Sequence, residues 1–192
     1  MTYKIGIIIG STRPGRIGEQ ISKWVYKTLS QEQQGLEYEL IDLAKINLPF
    51  FNEPAIPAMV DPSAYVHEHT KKWSHLIAKL DGFVFVTPEY NGGYPASLKN
   101  AIDTLYKEWV GKPAVIVSYG MGGGKFASAQ LRQVLEGPPK FKVVANAPAI
   151  SIDRTKLDAS FHYKNPDEDL SQFASAVIEA GKQLKDSEFM KQ

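Results

Sequence analysis

The chain has 192 residues, 43% of them hydrophobic and 22% charged, a composition typical of a globular protein with one domain. Its 22 basic and 21 acidic residues leave a formal net charge of +1, which disfavours binding to nucleic acids and to anionic membranes. Cysteine is absent, which excludes disulfides, thiolate metal sites and cysteine nucleophiles, so any redox chemistry would require a cofactor.

The apolar stretches of the sequence fall short of the roughly 18 to 20 residues that cross a bilayer. The stretch nearest the start, Ile5 to Gly10, is also too short for the core of a signal peptide. We therefore expect a soluble cytoplasmic protein that does not contact membranes, with residues 1–192 in a single domain.

Apolar segments rich in β-forming residues alternate with segments of helical period, a pattern typical of a parallel sheet covered on both faces. The predicted strands are Tyr3–Ile9, Leu36–Asp42, Gly82–Thr87, Ala114–Ser118 and Val143–Ala145. The predicted helices are Ile17–Ser30, Ser63–Leu80, Ala96–Trp109, Lys125–Leu135 and Leu170–Leu184. This alternation fits a flavodoxin-like α/β sandwich of three layers, with a five-stranded parallel sheet of order 2-1-3-4-5 and its ligand beyond the carboxyl ends of the strands.

The segment Leu48–Pro62 is an extended predicted loop. It carries four prolines, which prevent a continuous helix, and its two phenylalanines, Phe50 and Phe51, are candidate apolar anchors. Two interpretations remain open: a packed connection, or a lid that leans over a ligand at the same edge of the sheet.

The loop after the first strand reads GSTRPGR over residues 10–16 and leads into a helix, so backbone N–H groups and a positive helix end converge there. The glycine spacing imitates a Walker A loop, but Arg16 and Ile17 replace the Lys and the Mg²⁺-binding hydroxyl, which disfavours a nucleoside triphosphatase. Two arginines and two hydroxyls without a metal ligand suit a phosphate monoester. These candidates are Ser11, Thr12, Arg13 and Arg16. The alternative is an ordinary turn with surface arginines.

The loop after the third strand reads PEYNGGYP over residues 88–95. A planar heteroaromatic ring could lie against Tyr90 or Tyr94, with Asn91 at its polar edge. Glu89 has the chemistry of a general acid or base, but the sequence offers it no clear partner. Taken alone, this loop is equally compatible with a plain turn.

The loop after the fourth strand reads SYGMGGGK over residues 118–125, and its four glycines permit close approach of a ligand to the backbone. A dinucleotide-binding fingerprint is disfavoured, because the loop follows the fourth strand and no acidic residue stands about 20 positions later. What remains is a set of N–H donors at a helix N-terminus, suited to the end of a flavin that becomes anionic on reduction.

The motifs GSTRxxR at residues 10–16 and PEYNxxYPxxLKNAID at residues 88–103 resemble the NAD(P)H-dependent FMN reductase family, and SYG at residues 118–120 agrees. That family includes quinone reductases and azoreductases of flavodoxin-like fold, and the similarity extends from Lys4 to about Ala145. The resemblance implies that the FMN phosphate is bound by Ser11, Arg13 and Arg16, with Ile17 and Gly18 at the start of the next helix. It implies that the isoalloxazine ring is lined by Pro88, Glu89, Tyr90 and Asn91. The pocket would be completed by Tyr119, Gly120 and Gly122.

The resemblance also implies FMN as cofactor and NAD(P)H as electron donor, with the flavin carrying the redox step, so that no catalytic side chain and no metal is required. NAD(P)H would transfer a hydride and leave, and a quinone, free flavin or azo compound would then take two electrons at the same place, a ping-pong exchange. The alternative function is a non-enzymatic flavin-binding module that senses redox state through a protein partner. Arg13 and Arg16 favour catalysis, since flavodoxins that only carry electrons lack arginine in this loop.

The helix predicted from Ala96 carries an apolar stripe of Leu98, Ile102, Leu105, Tyr106 and Trp109. Core packing and a subunit interface both explain such a stripe. The resemblance adds a homodimer or homotetramer with FMN near the interface. His67, His69 and His75 are interpreted as surface residues, because 67 and 69 point to different faces of a predicted helix.

Overall fold

A parallel sheet with helices on both faces organises the computed structural model, which describes residues 2–32 and 35–186. Its strands are β1 (Tyr3–Ile9), β2 (Leu36–Asp42), β3 (Gly82–Pro88), β4 (Pro113–Gly120), β5 (Lys142–Val143) and β6 (Ala149–Ser151). Its α-helices are α1 (Gly18–Glu32), α2 (Leu43–Ile46), α3 (Glu68–Ala78), α4 (Ala96–Asp103), α5 (Lys125–Glu136), α6 (Pro166–Asp169) and α7 (Ala174–Lys185). Short 3₁₀ turns lie at Pro57–Met59, Pro62–Ala64, Arg154–Lys156 and Ser171–Phe173.

The sheet order is β2-β1-β3-β4, with β5 and β6 both paired to β4. This confirms the expected flavodoxin-like order. β3 is buried along its whole length because helices cover both faces of the sheet, whereas the edge strand β2 alternates between buried and exposed residues. Since β1 lies between β2 and β3, the connections diverge at its carboxyl end and leave a crevice there.

The predicted fifth strand, Val143–Ala145, is only partly right. The structure has β5 at Lys142–Val143 and a further strand, β6, which the sequence analysis missed. Ala114 of β4 pairs with Val143, while Ser118 of the same strand pairs with Ala149. The chain leaves the sheet between these two pairings, where Pro148 has no N–H to continue a ladder. One sheet position is therefore filled by two short strands.

Two core layers flank the sheet. One contains buried side chains of α1 and α7, and the other contains those of α3, α4 and α5. Trp109 lies in the second layer, against the rings of Phe83 and Phe141 with centroid separations of 4.9 and 5.6 Å. No helix within the described parts of the chain is long and apolar enough to span a bilayer.

The helix predicted at Ala96–Trp109 ends early, at Asp103. The indole N–H of Trp109 donates to the carbonyl of Ile102 at 3.1 Å. A continued helix would have used this carbonyl for a backbone hydrogen bond. Breaking the helix thus lets Trp109 turn into the core with its N–H satisfied. Four residues of the apolar stripe are at most 2% exposed, so the stripe packs inside the subunit. These four are Leu98, Ile102, Leu105 and Trp109.

The helix predicted at Ser63–Leu80 begins later, at Glu68. The carboxylate of Glu53 accepts the N–H groups of Val66 and His67, both at 2.9 Å, and so holds this segment extended. His67 consequently precedes the helix, and its ring stacks on that of His69 with centroids 5.1 Å apart. The expectation that these two histidines point to different faces is therefore wrong.

The last predicted helix, Leu170–Leu184, also starts later than expected. Residues Pro166–Asp169 form α6, a 3₁₀ turn follows at Ser171–Phe173, and α7 begins at Ala174. Leu170 is fully buried at the junction between these turns, so its apolar character reflects a core contact and not the helical period.

Candidate active site

The carboxyl ends of β1, β3 and β4 bring the three predicted loops together at one edge of the sheet. The N–H of Gly10 donates to the carbonyl of Val86 at 2.9 Å, and the N–H of Glu89 donates to the carbonyl of Tyr119 at 3.0 Å. The first bond joins loop 10–17 to β3, and the second joins loop 88–95 to β4. The convergence expected from the sequence is therefore present.

Loop 10–17 has a buried hydroxyl at its base and an exposed rim. Ser11 is fully buried, and its Oγ lies 2.5 Å from the Oη of Tyr90, which ties this loop directly to loop 88–95. Thr12 and Arg13 are exposed. Ile17, which is buried, precedes α1 and has no oxygen with which to cap the first N–H groups of the helix. This end of α1 is thus suited to an external anion.

Arg16 makes an ion pair that the sequence analysis missed. Its Nη2 lies 2.6 Å from Oδ2 of Asp42, and the two side chains are only 14% and 8% exposed. The other carboxylate oxygen of Asp42 accepts the N–H of Ala44 at 3.0 Å, so Asp42 also caps α2. Arg16 therefore sits fixed at the edge of β2 and does not extend freely from its loop. The sequence did offer one signal for this ion pair: an acidic residue, Asp42, ends the strand that pairs with β1.

The Nε atom of Arg16 is buried and has no hydrogen-bond partner within the described residues. A buried donor without an acceptor is costly. An anion held at loop 10–17 is the kind of ligand that relieves such a cost.

Tyr119 lies beneath loop 10–17 and the start of α1. Its side chain is buried, and a Cβ placed at Gly18 would collide with its hydroxyl. Burial holds the pKa of Tyr119 above its usual range, so the phenol stays protonated. Gly18 is therefore required by the close approach of α1 to this ring.

The hairpin in loop 88–95 turns at Asn91 and Gly92, whose φ angles are 50° and 77°. Tyr90 and Gly93 exchange both backbone hydrogen bonds, at 2.8 and 3.0 Å. The pattern is that of a type I′ turn, which favours Asn-Gly at its centre. Asn91 is exposed at the tip, Tyr90 is partly exposed below it, and Pro88 is buried as the last residue of β3.

Glu89 caps helix α5. Its Oε2 accepts the N–H of Phe126 at 2.9 Å and that of Ala127 at 3.3 Å. This carboxylate already takes two N–H groups at the start of the helix, so the donors predicted for the anionic end of a flavin are those near Gly120 and Gly122, which stay a prediction. A cap supplied by another loop gives no local sequence signal.

Loop 119–124 is held by its glycines and by Ser118, whose hydroxyl donates to the carbonyl of Gly123 at 2.7 Å. Gly124 has a φ of 72° and lies against the backbone of Tyr119, where a Cβ would be 2.8 Å from the nearest atom. Gly122 differs, since no described heavy atom lies within 4 Å of a Cβ placed there. The loop is thus rigid beside β4 and open at Gly122.

A cavity of about 510 Å³ adjoins the loops that follow β1 and β3. It is lined by Thr12, Leu43, Ala44, Asn47, Leu48, Phe50, Tyr90, Pro95, Ala96, Ser97 and Asn100. The side-chain amide of Asn100 donates to the carbonyl of Pro49 and accepts the N–H of Phe51, both at 2.8 Å. This clamp presents Phe50 at the rim of the cavity, 82% exposed, so Phe50 is not an apolar anchor. The segment Leu48–Pro62 therefore has the character of a lid at this end.

A family model described as NADPH-dependent FMN reductase matches residues 3–155. An NAD(P)H-dependent FMN reductase of Schizosaccharomyces pombe is 46% identical over 158 residues, 82% of this chain and 77% of that protein. One of Saccharomyces cerevisiae is 45% identical over 141 residues, 70% of this chain and 74% of that protein. A quinone reductase of Pseudomonas putida is 33% identical over 141 residues, 69% of each chain.

Solved structures share the fold. The flavoenzyme NAD(P)H:(acceptor) oxidoreductase FerB from Paracoccus denitrificans superposes with a TM-score of 0.71 at 22% identity, covering 96% of this chain and 98% of that one. The motifs around the three loops and the matches over most of the sequence agree with this likeness. The chain belongs to the NADPH-dependent FMN reductase family.

Proposed function

We propose that this protein is an FMN-dependent NAD(P)H oxidoreductase that passes two electrons from NAD(P)H through FMN to quinones, free flavin or azo compounds. The observation that carries the proposal is the joining of loop 10–17, with its arginines and hydroxyls, to loop 88–95 through Ser11 and Tyr90. The names of the curated relatives, which are FMN reductases and quinone reductases, support the same reaction class. We place the whole chain, residues 1–192, in one FMN-binding domain that works in the cytoplasm.

The residues at the first loop fit the phosphate of FMN. Ser11 and Thr12 supply hydroxyls, Arg13 is exposed at the surface with Nη1 donating to the carbonyl of Pro14 at 3.4 Å, and Arg16 has a buried Nε that lacks an acceptor among the described residues. Arginine suits a phosphate monoester because its planar fork can donate two parallel hydrogen bonds. Asp42 holds Arg16 in place, so the phosphate would meet an arginine already oriented for it.

The residues at the other two loops fit a planar ring. Tyr90 provides apolar surface beside the buried Pro88, Asn91 provides a polar edge, and Gly122, next to Gly120 in the chain segment after β4, provides an approachable backbone. FMN bound there would accept a hydride from NAD(P)H and give two electrons to the acceptor, and the protein would supply placement and electrostatics. Glu89 is engaged as a helix cap, which is consistent with a site that uses no catalytic side chain.

The cavity beside Tyr90 and Thr12 suits the nicotinamide and the acceptor in turn. Its lining is mainly apolar, and its volume of about 510 Å³ is in the range of small-molecule sites. Because one opening serves both molecules, NAD(P)H would leave before the acceptor enters, as a ping-pong mechanism requires. Asn100 and the exposed Phe50 shape the rim that each molecule passes.

Steady-state kinetics tests this proposal. Rates of the FMN-loaded protein are measured against NADPH at several fixed quinone concentrations, with free FMN and an azo dye as further acceptors. The proposal predicts double-reciprocal lines that run parallel for each accepted compound. Intersecting lines would show that donor and acceptor bind together and would exclude the shared opening, and absence of turnover with every acceptor would exclude the reductase itself.

We also propose that the protein assembles as a homodimer or homotetramer. Support comes from exposed apolar side chains at Ile56 and Met59, and from an apolar cavity of about 520 Å³ between loop 56–58, α4 and α5. Four residues of the apolar stripe are buried in the core, while the fifth, Tyr106, is half-buried and lines this cavity together with Ile102. Light scattering at micromolar concentration tests the assembly, and a mass of 21.3 kDa, that of one chain, would contradict it.

A further inference from the structure

One carboxylate links the loops that follow β3 and β4. Glu89 is the residue after β3, its backbone N–H bonds to Tyr119 of β4, and its side chain reaches the first turn of α5. There Oε2 accepts from Phe126 at 2.9 Å and from Ala127 at 3.3 Å. A single oxygen thus satisfies two N–H groups of a helix that begins beside the proposed ring site.

Helix α5 has no cap of its own. The residue before it, Gly124, is in the left-handed conformation and has no side chain to accept a hydrogen bond. A helix N-terminus carries the equivalent of about half a positive charge. A full negative charge from Glu89 therefore more than offsets this end, and the loop ahead of α5 is not a positive site.

Other charged residues lie on the elements around this end, among them Asp153 and Arg154, which follow Ile152 where its N–H donates to the carbonyl of Gly120. Lys125, the first residue of α5, is exposed to solvent, and Arg13 and Arg16 lie on the loop that follows β1. Solvent screens the exposed lysine, while Glu89 is partly buried and directly bonded to the helix. The Glu89 carboxylate is held beside loop 119–124 by its two hydrogen bonds to the first turn of α5.

We propose that Glu89 is a positioning residue that sets the charge at the α5 N-terminus and thereby lowers the reduction potential of bound FMN. The inference rests on the proposed function. Reduction places negative charge on the flavin, and a fixed carboxylate nearby disfavours that charge. The reduced cofactor is consequently a stronger donor, as transfer to free flavin and other weak oxidants requires.

The test is the midpoint potential of the FMN-loaded protein, measured by spectroelectrochemistry under argon for the wild type and for Glu89→Gln. Glutamine keeps an oxygen that accepts the two N–H groups but removes the charge. We expect the affinity for reduced FMN, relative to oxidised FMN, to rise by about tenfold, which for a two-electron couple raises the potential by about 30 mV. The dissociation constant of oxidised FMN, from fluorescence quenching, is measured in parallel.

Two further variants complete the design. Glu136→Gln removes a carboxylate at the far end of α5, where it pairs with Arg132 at 2.8 Å, and should leave the potential unchanged. Lys125→Glu adds a negative charge at the exposed start of α5 and should lower the potential, with a smaller effect at high salt. Because Lys125 makes no cap, this variant remains informative if Glu89→Gln does not fold.

The expected pattern is a rise for Glu89→Gln, a fall for Lys125→Glu and no change for Glu136→Gln. The inference is overturned if the midpoint potential of Glu89→Gln is equal to or below that of the wild type. If Glu89→Gln does not fold, an unchanged midpoint potential of Lys125→Glu overturns the inference instead. In either case FMN binding and turnover can persist, and the proposed function then stands. A wild type that does not bind FMN overturns both.

Discussion

Nη2 of Arg16 and Oδ2 of Asp42 lie 2.6 Å apart and join the loop after β1 to the end of β2. Both side chains are largely shielded from solvent, and Asp42 is the nearer of two carboxylates beside Arg16, since Oε2 of Glu19 lies 3.8 Å from the same Nη2. The same carboxylate caps α2, which begins the chain segment leading to the cavity lid. One ion pair therefore connects loop 10–17 to the chain segment that leads to the cavity.

Removal of this carboxylate should destabilise the protein. Asp42→Ala leaves Arg16 poorly solvated with only the more distant Glu19 beside it and removes a helix cap, at a cost of about 3 kcal/mol in the free energy of unfolding. Urea denaturation measures the loss. Asp153→Ala is the matched control, since Asp153 caps a 3₁₀ turn at Thr155 but is fully exposed, and it should change stability little. Equal losses in the two variants would show that the ion pair contributes nothing.

The three loops could be placed from sequence because each follows a strand whose apolar run is unambiguous. β1 and β2 match their predicted bounds, and the sheet order follows from the alternation of strands and helices. What sequence patterns missed is tertiary: Asp42 on Arg16, Glu89 on α5 and Asn100 on the lid are contacts between distant segments. No local period or cap rule encodes them.

The short elements were missed for a related reason. β6 has three residues, and its pairing with β4 shows only in the folded sheet. The early end of α4 depends on the indole of Trp109, which needs the carbonyl of Ile102 once it enters the core. Tertiary burial thus decided where the helical pattern stopped.

Phosphate recognition should depend on Arg13. Arg13→Ala is expected to weaken FMN binding by roughly 10- to 100-fold, the value of a charge-assisted hydrogen bond, while riboflavin binding stays the same. Fluorescence titration of both flavins provides the measurement. Lys79→Ala, an exposed charge at the opposite end of the sheet, serves as control. A parallel loss of riboflavin affinity would mean that Arg13 acts on the fold of the loop and not on phosphate.

The contact of Gly18 with the hydroxyl of Tyr119 should make Gly18→Ala destabilising by about 2 kcal/mol, because the buried ring cannot move away. Tyr119→Phe removes the oxygen that collides, so the double variant should regain part of this loss. Thermal unfolding of the four proteins in the cycle gives the coupling. Gly122→Ala, which meets no described atom, should keep the wild-type stability. Additive effects of the two substitutions would rule out the steric account.

The lid should govern acceptor affinity. Phe50→Ala removes an exposed ring from the rim of the cavity and is expected to raise KM for a quinone by roughly 3- to 10-fold, the value of one aromatic contact. The affinity for FMN should not change. Tyr26→Ala, a partly exposed aromatic on α1, is the control. An unchanged KM would place quinone binding outside this cavity.

Lys112 should make stability depend on pH. Burial lowers the pKa of Lys112 from its usual 10.5 to about 8, although Nζ donates to the carbonyl of Ile77 at 3.0 Å. Between pH 8 and 10.5, Lys112 is therefore protonated in the unfolded state and neutral in the folded state. This difference makes the free energy of unfolding rise with pH in that window. Below pH 8 its effect is constant.

Buried tyrosines limit the upper end of this window. Burial raises the pKa of Tyr163 to about 12, so the folded state keeps that proton while the unfolded state loses it above its usual 10, and stability falls there. Urea denaturation of wild type and Lys112→Met from pH 7 to pH 10 isolates the lysine: the stability of the wild type relative to Lys112→Met should rise above pH 8. A difference that is constant over this range would contradict the shift.

The most direct test of the central proposal is the visible absorption of the FMN-loaded protein under argon, first with NADPH and then with a quinone. We predict that the flavin band disappears on addition of NADPH and returns on addition of the quinone, because each half-reaction proceeds without the other substrate. A protein that binds no FMN, or whose flavin band survives NADPH, would contradict the assignment of this site as a flavin-dependent reductase.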